Sequence, residues 1–125
     1  MLAQKQLELK ITTSDILKNA SYYPDNEILQ FKASTGNLTT GSATVTSITI
    51  VLVDTFDVDE KAFVVTVGNQ TLTGTVVSSE ATGVKNKDGY EFTVTTLKFE
   101  CNATGAITIK NNTTYAKRVL EIEIK

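Results

Sequence analysis

With 125 residues, 41% of them hydrophobic and 21% charged, the chain has the size and composition of one domain built around a single core. A net charge of -2 and a single arginine, Arg118, offer neither a strong field nor the basic face that nucleic acids require. No apolar run approaches the ~20 residues of a membrane span, so neither nucleic acid nor membrane is an expected partner. No His is present, and the lone Cys101 excludes a disulfide within the chain.

Residues 6–11 alternate, with Leu7, Leu9 and Ile11 on one side, the pattern of a first strand. Thr13, Ser14 and Asp15 then offer caps ahead of Ile16 and Leu17. This predicts one short helix near the N-terminus, ended by Tyr23-Pro24-Asp25-Asn26. Residues 28–33 read as a second strand, and the polar stretch 34–42, with Gly36 and Gly41, as an exposed loop or a crossing between sheets. Residues 43–54 are the most apolar. Ile48, Ile50 and Leu52 share one face while Val51 and Val53 occupy the other, which predicts a central strand or a contact surface.

Residues 62–67 and 70–78 flank Gly68-Asn69, the strongest hairpin signal in the chain. Lys87-Asp88-Gly89 leads into a long strand in which Tyr90, Phe92 and Val94 hold one phase and Leu97, Phe99 and Cys101 the other. A β-bulge or bend is expected at Thr95-Thr96, where the phase changes. Residues 105–110 and 116–125 close the chain around the turn Asn111-Asn112-Thr113-Thr114. The last strand is expected near an edge, with Leu120, Ile122 and Ile124 inward and Glu121, Glu123 and Lys125 in water. About eight strands with frequent turns and no alternating helices predict an all-β, antiparallel two-sheet sandwich of jelly-roll or immunoglobulin-like topology, one domain over residues 1–125.

Without His, the Ser-His-Asp and Cys-His arrangements and imidazole-based metal sites are unavailable. No catalytic residue is assigned, no cofactor is expected, and the chain reads as non-enzymatic. Two carboxylates would suffice for glycoside hydrolysis, but no Trp offers a sugar platform. Asp54, Asp57, Asp59 and Glu60 could together supply oxygen ligands to calcium. The segment lacks the glycine and distal Glu of an EF-hand loop, so a solvated loop with Phe56 and Val58 tucked inward is the preferred reading.

Cys101, at a strand end, is expected as a buried, unreactive thiol. Asn-X-Ser/Thr triplets begin at Asn19, Asn37, Asn69, Asn102, Asn111 and Asn112; they read as turn chemistry, with side chains satisfying local backbone groups. Tyr22, Tyr23 and Tyr115 fall in predicted loops, where each could contact a partner or lay its ring on the end of the sandwich with the hydroxyl in water. An isopeptide crosslink between Lys and Asn needs a buried Lys, an Asn and an acid brought together in space, which no linear pattern can assign.

The segment Gly105-Ala106-Ile107-Thr108-Ile109-Lys110-Asn111-Asn112, followed by Lys117-Arg118-Val119-Leu120-Glu121-Ile122-Glu123-Ile124, resembles the closing strand pair of galactose-binding-like jelly rolls. That resemblance implies a sandwich and the kind of module found in bacterial surface proteins, which often bind sugars through aromatic and charged loop residues. No ligand motif upstream matches, so no binding residue carries over. The Thr-rich, Cys-poor composition is also similar to that of small β-sandwich proteins that decorate bacteriophage heads or build their fibres. No apolar leader occurs in Met1-Leu2-Ala3-Gln4-Lys5-Gln6. Two origins fit: an assembly component made inside the cell, such as a virion protein, or a piece of a bacterial surface protein. The leading expectation is a structural component of a bacteriophage virion, such as a capsid auxiliary protein, contacting capsid or homo-oligomer neighbours. The alternative is a glycan-binding or adhesive module at the cell surface or secreted.

Overall fold

A computed structural model of the chain describes residues 7–8, 20–23, 28–34, 36–55 and 58–125. Side chains are described from Phe31 onward, except at Thr40. Every regular element among the described residues is a strand: β1 (Leu7–Glu8), β2 (Ala20–Tyr23), β3 (Ile28–Phe31), β4 (Asn37–Asp54), β5 (Phe63–Val67), β6 (Gln70–Thr71), β7 (Gly74–Lys85), β8 (Glu91–Asn111) and β9 (Lys117–Ile124). Hydrogen bonds link them in one antiparallel sheet of order β2-β3-β9-β4-β8-β5-β6, with β1 added to β9 and β7 to β8. The helix expected at residues 13–19 lies outside the described residues.

The axis of the fold is the pair β4 and β8, antiparallel from Asn37 opposite Lys110 to Asp54 opposite Thr93. In β8 the inward phase never changes: Thr95, Leu97, Phe99, Ala103, Ile107, Ile109 and Asn111 are all buried. Its partner keeps step by shifting phase twice. Leu38 is inward, then Val45, then Ile48, Ile50 and Leu52, and the changes coincide with register irregularities at Thr39/Ser42 and Val45/Ser47. The extra residue is on β4 at the first irregularity and on β8 at the second, and each resets the parity of one strand against the other, so that an 18-residue strand keeps apolar side chains on one face throughout.

The first irregularity explains why the polar stretch does not form the expected loop. Residues 37–42 are the first part of β4, their pattern broken by the bulge and by Gly41 rather than by a chain reversal. The expected break between residues 101 and 105 is likewise absent, and β8 runs on through Asn102 and Thr104 as one 21-residue strand.

Each half of the central pair takes its own neighbours. Residues 48–53 of β4 pair with β9, residues 91–99 of β8 pair with β7, and residues 107–111 of β8 pair with β5. The core lies between them: Phe31 of β3 meets Phe63 of β5 edge-to-face, centroids 5.3 Å apart, although these strands are far apart in the sheet order. Aromatic pairs of this kind contribute about 0.5–1.5 kcal/mol beyond their buried area.

The hairpin at Gly68-Asn69 forms as expected, with Val67 opposite Gln70 and Gly68 alone taking positive φ (58°). That is the pattern of a type II′ turn. The turn also lies against Gly105 of β8: a Cβ at Gly105 would fall 2.4 Å from the Gly68 Cα. Two backbones approach here because neither carries a side chain.

Three further expectations are corrected. The bulge predicted at Thr95-Thr96 is on the facing strand, where Val76 opposes Leu97 and Ser78 opposes Thr96, leaving Val77 as the extra residue. β9 is an interior strand, with β4 on one edge and β3 and β1 on the other. Its phase changes at the Val51/Leu52 irregularity, so Val119 is buried at 2% exposure and Leu120 stands 39% exposed. Tyr22 and Tyr23 belong to β2, opposite Leu29 and Ile28, rather than to a loop.

Candidate functional site

At one end of the sheet three segments converge: the end of β4, the turn between β7 and β8, and the loop between β8 and β9. The last of these is held by Asn111, the last residue of β8 and wholly buried. Its Nδ2 donates to the carbonyls of Lys32 (3.1 Å) and Tyr115 (2.9 Å), with that of Phe31 at 3.4 Å. Its Oδ1 accepts from the backbone N–H of Thr113 at 2.9 Å and lies 2.7 Å from the Thr113 hydroxyl. Buried carbonyls need partners, and one side chain supplies them to β3 and to the following loop together. Asn112 extends the tie, its N–H donating to the Ala62 carbonyl at 2.9 Å. The local role expected of the Asn and Thr side chains is therefore present at this turn. Asn111 is sealed from solvent, whereas Asn69, Asn102 and Asn112 are exposed.

The loop so held presents Tyr115 at 60% exposure. With Val53, Asp54, Phe92, Asn86, Lys87, Asp88 and Arg118 it borders an open groove of about 360 Å³. The opposite wall is a built turn. Asn86 Oδ1 accepts from the N–H groups of Asp88 (2.9 Å) and Tyr90 (3.0 Å), the Asn86 N–H donates to the Tyr90 carbonyl at 2.8 Å, and Gly89 takes φ 87°. Among the described residues neither Lys87 nor Arg118 has a carboxylate within ion-pair distance.

The acidic segment does not gather. Asp54 turns toward the buried Lys117, with which it makes direct contact, and its Oδ1 accepts from the Thr55 N–H at 2.7 Å. Asp59 Oδ1 accepts from the Lys61 N–H at 2.8 Å, closing a local turn, and Asp57 lies outside the described residues. Glu60 is half-buried, and no group of three or more Cys, Asp or Glu side chains stands close enough to hold a metal among the described residues. Of the residues singled out in sequence, Asp54 and Tyr115 thus share one groove, while β2 carries the backbone of Tyr22 and Tyr23 elsewhere in the sheet.

Cys101 is half-buried, its Sγ 3.2 Å from the Val45 carbonyl. Burial pushes its thiol pKa up, against the opposing effect of a backbone hydrogen bond at Ala103. Thiolate is therefore scarcer than in a free cysteine, which disfavours nucleophilic chemistry there.

The surface that sequence reasoning missed is the second part of β7, residues 79–85. Apart from Gly74 every residue from Thr75 to Lys85 is exposed, including Val76, Val77 and Val84, and among the described residues β7 pairs with β8 alone. Residues 79–85 mix Ser, Glu, Gly and Lys without clean alternation, so only the hydrogen-bond register reveals the strand. The segment 43–54, expected as a central strand or a contact surface, belongs to the central strand β4, paired with β8 on one side and β9 on the other. Compared with protein-family models, with curated proteins and with solved structures, the chain matches none.

Proposed function

We propose that the chain is a non-enzymatic structural protein of a macromolecular assembly, a bacteriophage virion component such as a capsid auxiliary protein, whose partners are capsid proteins or further copies of itself. The observation that carries this reading is β7: twelve residues long, paired on one edge and exposed along nearly its whole length. A strand with a row of unpaired N–H and C=O groups accepts another strand. Bulges at Val77 and at residues 82–84, with Glu80 and Lys85, keep it from pairing indiscriminately. The Thr-rich, Cys-poor composition supports the virion setting. Within this reading the sheet folds over as a two-layer sandwich, supported by the contact of Phe31 with Phe63.

The groove supports a second reading, a glycan-binding or adhesive module of a bacterial surface protein, because Tyr115 offers an exposed ring beside Arg118 and Lys87. Light scattering over a concentration series together with a glycan array separates the two. Multimers without sugar binding support the assembly reading, and a stable monomer that binds sugar overturns it.

A further inference from the structure

We propose that Asp54 and Lys117 form a modification site, at which the two side chains condense into an intramolecular amide tying β9 covalently to β4. The inference is independent of the functional reading above. Lys117 is the one buried lysine among the described residues, and the side chains of the pair are only 4% and 12% exposed. Their meeting follows from register: Val53 opposes Arg118, and one step further along the same antiparallel ladder brings Asp54 level with Lys117.

The carboxyl group is held in the manner acyl transfer requires. Lys117 Nζ is in direct contact with Oδ2, while Oδ1 accepts the backbone N–H of Thr55 at 2.7 Å. An amine is thus fixed beside the carbonyl carbon, and a donor is aimed at the oxygen on which negative charge develops.

The step balances within the pair. One proton passes from Nζ to Oδ2, the neutral amine adds to Cγ, and Oδ1 carries the charge against the Thr55 N–H. A second proton then moves from Nζ to Oδ2, the bond from Cγ to Oδ2 breaks, and water leaves as the bond from Nζ to Cγ completes the amide. No oxidant or further reactant is needed. Burying two ions costs desolvation that their attraction repays only in part, and the neutral amide removes both charges.

Intact-mass spectrometry of the whole folded chain, denatured after purification, tests this directly. The expected mass is lighter than the sequence by one water, and proteolysis yields a branched peptide joining the segments that contain Asp54 and Lys117. Lys117→Arg and Asp54→Ala recover the full linear mass, while Asp54→Asn, whose condensation releases ammonia, arrives at the same crosslinked mass as the parent. A parent chain at full linear mass with no branched peptide overturns the proposal. So does a loss of water that survives in both Lys117→Arg and Asp54→Ala, as a succinimide at Asp88-Gly89 would give. The branched peptide is read on the parent chain, so the result does not depend on the variants folding.

Discussion

The two ends of β8 carry a strand into opposite surroundings. From Leu97 to Asn111 the inward side chains are buried, and the strand ends in an asparagine wholly enclosed by the polar groups it satisfies. From Thr93 to Thr96 the strand is also paired on both edges, to β4 and β7, yet of these four residues only Thr95 is buried and the neighbouring β7 is exposed almost throughout. Pairing alone therefore does not seal a strand; coverage of a face does. The difference teaches where cohesion is made and where surface is left for use.

Phe99 joins the two regions, and its removal should have the largest effect. It is 1% exposed and its ring covers Gly74 of β7, the residue directly opposite, so close that a Cβ at Gly74 would fall 2.5 Å from the ring. Phe99→Ala should lower unfolding free energy by about 3–5 kcal/mol in denaturant titration and loosen β7 first. Asn111→Ala attacks the sealed end alone. It removes one donor each from the carbonyls of Lys32 and Tyr115, which keep the Gly36 N–H and the Thr113 hydroxyl, and should cost roughly 2 kcal/mol in the same titration.

Gly105→Ala tests the close approach to Gly68, which a Cβ would obstruct from a φ of 155°. It should cost about 2 kcal/mol through strain and overpacking, read as a fall in Tm. Val77→Lys sharpens the other side of the comparison. Val77 is 58% exposed in a bulge, so stability should change by less than about 0.5 kcal/mol, while self-association measured by light scattering should be lost. A large loss of stability instead would mean that β7 belongs to the sealed body.

The elements legible in sequence are those where one local rule acts alone. Gly68-Asn69 has a turn with its own backbone preference, and residues 48–53 alternate on two apolar faces because both edges and both faces are engaged. The first part of β4 is hidden because the irregularities reset parity, so Val45 falls out of phase with both Leu38 and Ile48 and the intervening polar residues read as a loop. Leu120 was misplaced for the same reason, since the irregularity beside it hands the inward position to Val119. Tyr115 and Asp54 are each legible in sequence as an aromatic and an acidic residue, but not as neighbours. Only the register of β4 against β9 and the ties of Asn111 bring them to one groove. Beyond residue 78 β7 is not legible in the sequence, because an exposed strand is under no demand to alternate.

Residue-resolved hydrogen exchange on the native chain tests the contrast between the two regions most directly. The amides of Ile107 and Ile109, paired and buried, should exchange only with global unfolding, whereas many amides between Thr75 and Lys85 should exchange orders of magnitude faster. Equal protection of β7 and the end of β8 in the free chain would contradict the account, because it would mean that the open edge is already covered.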